Sequence, residues 1–184
     1  MKRSGITYKK EHTVKVFVSG GWQPHKVKHL AERAEELGRL LAQNGFDITC
    51  GPGTGIAKYV IRGFRSIPKR GKILFYLPKL SEMKRVGEDM EEGADDVVKT
   101  NAEYPVRNLI QVKESDAVVG IGGSAGTLTE VIAAVMDYHK PVAMFEDGSE
   151  SVEAAKIISK IRPHIFFSRS VPEVVSYLKK TLHV

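Results

Sequence analysis

Apolar residues in this chain fall into short runs that end in glycine turns, separated by stretches of helical period. Residues 14–19 alternate, then run apolar, and empty into Gly20-Gly21, which predicts a strand feeding a loop. From Val27, the positions Leu30, Ala31, Ala34, Leu37, Leu40 and Leu41 share one helical face with charges opposite, and Asn44-Gly45 supplies the stop. Residues 46–50 form a second strand. After it, Gly51-Pro52-Gly53-Thr54-Gly55 turns into a helix whose inner face is Ile56, Val60, Ile61 and Phe64. Residues 72–77 read as a third strand closed by Pro78, and Val97-Val98 as a short fourth. Between them, residues 80–96 are charged, hold Gly87 and Gly93 and have weak periodicity, so a mobile loop with some helix is expected. Helix over 104–114, strand over 117–121, a helix carrying Leu128, Val131, Ile132, Val135 and Met136, strand over 142–145, helix over 152–161, strand over 165–167 and helix over 171–182 complete the pattern.

Strands that are short, apolar throughout and alternate with helices predict an α/β fold: a single-domain, Rossmann-like three-layer sandwich over residues 1–184 with a mostly parallel sheet, preceded by a polar tail over 1–12. Such sheets bind ligands outside the carboxyl ends of their strands. Ser19-Gly20-Gly21, the Gly51 loop, Lys99-Thr100-Asn101 and the Gly122 loop all belong to that edge, which therefore predicts the site.

Composition narrows the picture. A chain of 184 residues, 42% hydrophobic, can bury one proper core. Its lone Cys50 has no disulfide partner and no metal-type spacing around it, so no metal site is expected and the cytoplasm is the default compartment. No run approaches the roughly 20 apolar residues of a membrane span, and the basic start lacks a leader's apolar segment. The net charge of +6 is spread over scattered pairs such as Lys9-Lys10, Lys69-Arg70, Lys84-Arg85 and Lys179-Lys180, which a solvated basic surface explains better than a nucleic-acid footprint.

The candidate chemistry lies in Gly122-Gly123-Ser124-Ala125-Gly126-Thr127, a glycine loop between a buried strand and a helix start. Backbone N–H groups at a helix N-terminus lack partners and face the positive end of the dipole, so an anion of phosphate size finds donors there. Ser124 and Thr127 add hydroxyls, and Ser19, Gly20, Gly21, Gly51, Gly53, Thr54 and Gly55 supply two further loops for a phosphorylated small molecule, a nucleotide first of all. Neither glycine cluster leads into the Gly-Lys-Ser/Thr of an ATPase loop. Gly120-Ile121-Gly122-Gly123-Ser124-Ala125 satisfies the loose dinucleotide pattern, but it comes late in the chain and has only Glu146 as a ribose-binding acid. Thr127-Leu128-Thr129-Glu130 has the form of a capping box, in which the acid merely reaches back to its own helix start; Ser170-Val171-Pro172-Glu173 repeats the form where nothing suggests chemistry. Trp22 and His25, beside the first loop, are placed to stack on a base, although a single Trp equally serves packing.

Arg107, then Ser115-Asp116, then Gly122-Gly123-Ser124-Ala125-Gly126-Thr127-Leu128-Thr129-Glu130 resembles, without a gap, the Lonely Guy family, often labelled lysine decarboxylase-like. The resemblance spans residues 14–145 and implies a nucleoside 5′-monophosphate phosphoribohydrolase. Arg107 and Glu130 would then be catalytic and the glycine loops would hold the 5′-phosphate, with products a free base and ribose 5-phosphate. No cofactor is required by this reading. A PLP-binding lysine cannot be picked out, so the decarboxylase label finds no support. Gly122 stands where the family has Pro and Ser124 where it has a second Gly. Both departures are closer to a bacterial and archaeal branch that resembles molybdenum-cofactor carrier proteins, which implies binding of a molybdopterin-type ligand without hydrolysis. The DNA-processing protein A resembles a further relative, so single-strand DNA binding is a third reading. The superfamily also implies a homodimer built through helices near the one that bears Glu130.

Overall fold

The structure is a computed structural model that describes residues 13–90, 92–161 and 164–184. The polar tail expected over 1–12 lies outside the described residues. In chain order the elements are β1 (Lys15–Gly20), α1 (Pro24–Val27), a 3₁₀ turn (Lys28–Leu30), α2 (Ala31–Gln43), β2 (Asp47–Cys50), α3 (Ile56–Arg65), β3 (Ile73–Leu77), α4 (Leu80–Val86), β4 (Asp96–Lys99), α5 (Tyr104–Glu114), β5 (Ala117–Ile121), α6 (Ala125–Met136), β6 (Val142–Phe145), α7 (Glu150–Ser159), β7 (Ile165–Ser168) and α8 (Val171–Leu182).

Seven strands among the described residues form one sheet in the order β4-β3-β2-β1-β5-β6-β7, and all six pairings are parallel. Side chains alternate across it, as the twofold period of a strand requires. Val16, Val18, Ile48 and Phe75 face a core completed by Leu37 and Leu41 of α2, Val60 and Phe64 of α3, Met83 of α4 and Leu178 of α8. Phe17, Val118, Val142 and Met144 face the opposite core with Val112 of α5, Val131 and Ala134 of α6 and Val152 of α7. Sheet and helices thus make the expected three layers. The polypeptide leaves β1 toward β2 on one side and returns to β5 on the other, so the ends of β1 and β5 part at a switch in strand order, where open α/β sheets hold their ligands.

Three details differ from the sequence pattern. The helix expected from Val27 is broken: α1 starts at Pro24, and the 3₁₀ turn follows before α2 begins at Ala31. The tighter three-residue turn lets Val27 and Leu30, three apart, bury on one side. Residues 80–86 of the expected loop are the helix α4, which ends at Gly87 in the left-handed conformation (φ 69°). β4 is the edge strand, three positions from β1, so Lys99-Thr100-Asn101 shares the carboxyl edge without joining the glycine loops. Its place beside the switch point is taken by the turn after β6, which the pattern did not single out.

α2 and α3 approach each other at backbone distance. A Cβ on Gly38 would collide with the carbonyl oxygen of Val60, and one on Gly63 with that of Glu35. This reciprocal pair sets how tightly α3, and therefore the loop that precedes it, sits on the sheet.

Candidate nucleotide-binding site

Three loops converge at the switch point through their backbones. The Ile56 N–H donates to the Gly21 carbonyl at 3.0 Å, which ties the start of α3 to the end of β1. A Cβ on Gly20 would meet the Ile121 carbonyl oxygen at 2.5 Å, and one on Gly21 would meet Val27 at 2.6 Å. Gly55 (φ 59°) has no room against Gly21 and Trp22. These glycines are therefore demanded by the packing of loop on loop. Gly53 (φ 98°) and Gly123 (φ 91°) take left-handed conformations that side chains avoid. Thr127 is buried, and its hydroxyl fills the place where a Cβ on Gly123 would lie. Gly126 has open space around it, and Ser124, Ala125 and Gly126 are exposed.

The start of α6 settles the reading of Glu130. Ser124 is the N-cap and its side chain makes no capping hydrogen bond, which leaves the first-turn amides facing outward. Glu130 is therefore the sixth helical residue, three positions too late for a capping box. The capping reading of Thr127-Leu128-Thr129-Glu130 is corrected accordingly: Glu130 turns toward the sheet and accepts from the Ser19 hydroxyl at the end of β1. At Ser170 the cap does form, with the Glu173 N–H donating to Ser170 Oγ at 3.4 Å.

Arg107 arrives from the first turn of α5. Its Nη1 donates to Gln111 Oε1 at 2.9 Å, its guanidinium lies 5.3 Å from the centre of the Tyr104 ring, and a Cβ on Gly51 would stand 3.2 Å from Nη2. Gln111 is fully buried and donates onward to Thr49 Oγ1 at 3.2 Å, which in turn lies 3.0 Å from Ser115 Oγ. The motif's Ser115 thus anchors the chain of bonds that orients Arg107, and Asp116 accepts from the Lys15 N–H at the start of β1. The Arg107 Nε is buried with no hydrogen-bond partner. Such a donor is costly unless an anion reaches it.

Arg107, Glu130, Ser19, Gly20, Gly51, Pro52, Gly53, Thr54 and Trp22 line one small cleft of roughly 70 Å³. Burial pushes the Glu130 carboxyl above its ordinary value, opposed by the Ser19 hydrogen bond and the positive charge of Arg107. Burial pulls the Arg107 guanidinium down, opposed by Glu130 and then Glu88. On the other side of Trp22, a wider cleft of roughly 400 Å³ runs past Gly122, Gly123, Ser124, His29 and Ser149. Trp22 lines both and is 45% exposed. His25 is exposed and lines neither.

Two residues that matter here were not singled out from sequence. Asp147, after β6, accepts from the Gly122 N–H at 2.6 Å and from the Ser149 N–H at 2.9 Å. The Gly122 amide, expected to serve a phosphate, is thus already engaged. A proline in its place could neither donate that bond nor take φ 64°, which gives the departure from the family's Pro a structural reason. Asp147→Ala should lower stability by about 2 kcal/mol in denaturant titration, since two hydrogen bonds to a carboxylate are lost together. The other residue is Glu88, which follows the Gly87 helix stop and is buried. The Thr54 and Tyr104 hydroxyls both donate to it. The helix-stop glycine was the available signal, masked by the weak period around it. Glu146, the only acid offered for a dinucleotide reading, is held by Lys156 at 3.4 Å and Arg169 at 3.8 Å.

With the geometry in hand, comparison with known proteins identifies the lineage. The profile of the SLOG cluster4 family matches residues 13–175. The chain belongs to the SLOG cluster4 family. This membership agrees with the resemblance to the Lonely Guy-like superfamily. An uncharacterized protein of Archaeoglobus fulgidus is 28% identical to this SLOG chain over 104 residues; the match spans 56% of the chain and 63%, less than two thirds, of that relative. Among solved structures, TM1055 shares 25% identity at a TM-score of 0.76, covering 91% of this chain and 99% of that one. The Moco carrier protein of Chlamydomonas reinhardtii (20%, TM-score 0.77, covering 94% and 99%) and the molybdenum cofactor binding protein of Rippkaea orientalis (20%, 0.75, covering 94% and 99%) share the fold. DNA processing protein A from Helicobacter pylori is less similar, at 16% and a TM-score of 0.63, covering 91% and 81%. Among the described residues no helix is long and apolar enough to cross a membrane, and no cluster of metal-ligating side chains is present.

Proposed function

We propose that this SLOG protein binds a nucleoside 5′-monophosphate at the switch point and releases its base by hydrolysis of the N-glycosidic bond. The observation that carries the reading is the direction of Glu130: a buried carboxylate on α6, out of register to cap its own helix, lines one cleft with Arg107 of α5 and Ser19 of β1. The open first turn of α6, residues 124–127, and the Gly53-Thr54 loop would together receive the phosphate, with Arg107 offering its free Nε. Cleavage builds positive charge on the ribose, which an ionised acid stabilises. The raised position of Glu130 adds a second use, since a carboxyl that holds its proton longer can hand it to the departing base. Water then adds at the anomeric carbon and returns a proton to the Glu130 carboxylate, which regenerates the acid and leaves the free base and ribose 5-phosphate.

A carrier reading rests on a different observation. The cleft of roughly 400 Å³ beyond Trp22 has the volume of a small-molecule site, and it is bordered by the same α6 N-terminus. A molybdopterin-type ligand would find its phosphate donors at residues 124–127 and an aromatic face in Trp22. The relatives that bind molybdenum cofactor lend fold support to this use, and DNA processing protein A lends the same to single-strand DNA. A homodimer through helices near the one that bears Glu130 accompanies either small-molecule reading, in the cytoplasm. The deciding experiment incubates the protein with a panel of nucleoside monophosphates and follows free base by chromatography. Release from at least one member supports hydrolysis. Binding without release supports the carrier, and affinity only for oligonucleotides, steeply salt-dependent, supports the third use.

A further inference from the structure

Glu88 sits where an anionic ligand would be welcome. It is 7% exposed, far below what is usual for a glutamate, and it comes from the residues just after α4 rather than from the motif. The Thr54 hydroxyl donates to Oε1 and the Tyr104 hydroxyl to Oε2. Tyr104 lies under the Arg107 guanidinium, and the negative charge of Glu88 acts on that guanidinium second only to Glu130. Three groups that would greet a phosphate, the Thr54 hydroxyl on the β2 loop, Tyr104 beside it and the Arg107 charge, are thus turned to an internal carboxylate.

A hydroxyl has one proton to donate. Thr54 cannot give it to Glu88 and to a phosphate oxygen at once, so the two anions compete for one donor. They also repel each other in a partly buried setting, where screening by water and salt is weak. From this juxtaposition we infer that Glu88 is a specificity-determining residue that stands in for the ligand's phosphate at the Thr54 loop and selects against highly charged ligands. Thr54 then changes partner when ligand enters, and a phosphate dianion binds only by displacing the Glu88 carboxylate. An uncharged nucleoside makes no such demand. The inference rests on the nucleotide-binding reading above and adds to it which ligand charge the site resists.

Equilibrium titration with AMP and with adenosine, followed by Trp22 fluorescence and by calorimetry, tests it on the intact chain. Glu88→Gln removes the charge and keeps one acceptor oxygen for Thr54 or Tyr104, while its amide N–H donates to the other hydroxyl. It should bind AMP about tenfold more tightly than the natural chain, within the usual range of coupling between two sites, and adenosine equally well. Tyr104→Phe leaves the Glu88 charge in place with Thr54 as its remaining hydroxyl donor, and should not tighten AMP binding. Circular dichroism melts show that each variant is folded before it is titrated. If the natural chain binds AMP and folded Glu88→Gln binds it no better, Glu88 is a structural acid and the inference is overturned while nucleotide binding stands. If neither binds AMP, both fall. If both ligands gain equally, the effect is not one of charge and the inference is also overturned.

Discussion

Glu130→Gln should abolish base release, by at least about 10³-fold, while AMP affinity stays within a few-fold of the natural chain. In the proposed reaction the acid would act on the ribose and the leaving base while the phosphate would be held by the α6 amides and Arg107, so turnover and binding should separate. The same substitution has a second, opposite consequence for stability. Burial raises the Glu130 carboxyl above its ordinary value of 4.5, so the folded chain holds that proton more firmly than the unfolded one does. Its contribution to stability is whole below the ordinary carboxylate range. It is lost as pH rises from that range through the raised folded value. Glutamine never ionises. The variant should therefore melt at or above the natural chain at neutral pH, and the difference should close as the buffer is taken toward pH 4. Loss of activity together with gain of stability marks a functional acid. Loss of both would mark a structural one.

The second large effect lies away from the site. Gly63→Ala should destabilise the fold by about 3 kcal/mol or more, read by denaturant titration, because the new methyl group would fall inside the carbonyl oxygen of Glu35 on α2. Neither backbone can yield by rotating a side chain. The helices must separate, and α3 carries with it the Gly53-Thr54-Gly55 loop. Nucleotide affinity should fall along with stability, unlike in Glu130→Gln. Gly45→Ala serves as the comparison: unlike Gly63, that glycine has a positive φ, but it has open space around it, so only modest backbone strain is expected.

The contrast between Gly63 and the motif glycines shows what the sequence could and could not disclose. Strands such as residues 117–121 were legible because an apolar run ending in glycine has few other ways to fold. Their common edge follows from strand–helix alternation. The glycines of the Gly20, Gly55 and Gly123 turns were readable as a loop cluster, yet their first service is to let three backbones meet. Gly38 and Gly63 were invisible, since a glycine within an amphipathic helix carries no local mark of the carbonyl it must admit. Asp147 escaped for a related reason: its partner Gly122 lies on the neighbouring strand's loop, 25 residues away. Glu88 was hidden in a stretch whose period is weak because α4 is short and only Met83 of it is fully buried. The capping-box reading of Glu130 failed on register alone. The helix starts at Ala125, and a local four-residue pattern cannot say where its own helix begins.

Glu130 of α6, Arg107 of α5 and Ser19 of β1 share one cleft, and the start of α6, with its donors left open, borders the neighbouring cleft across Trp22. The most direct measurement is a crystal structure grown with AMP. The account predicts the phosphate on the amides of residues 124–127 within reach of Arg107 Nε, the ribose beside Glu130, and Thr54 turned from Glu88. A nucleotide bound elsewhere, or a crevice that stays empty at saturating AMP with Arg107 and Glu130 unmoved, would contradict it.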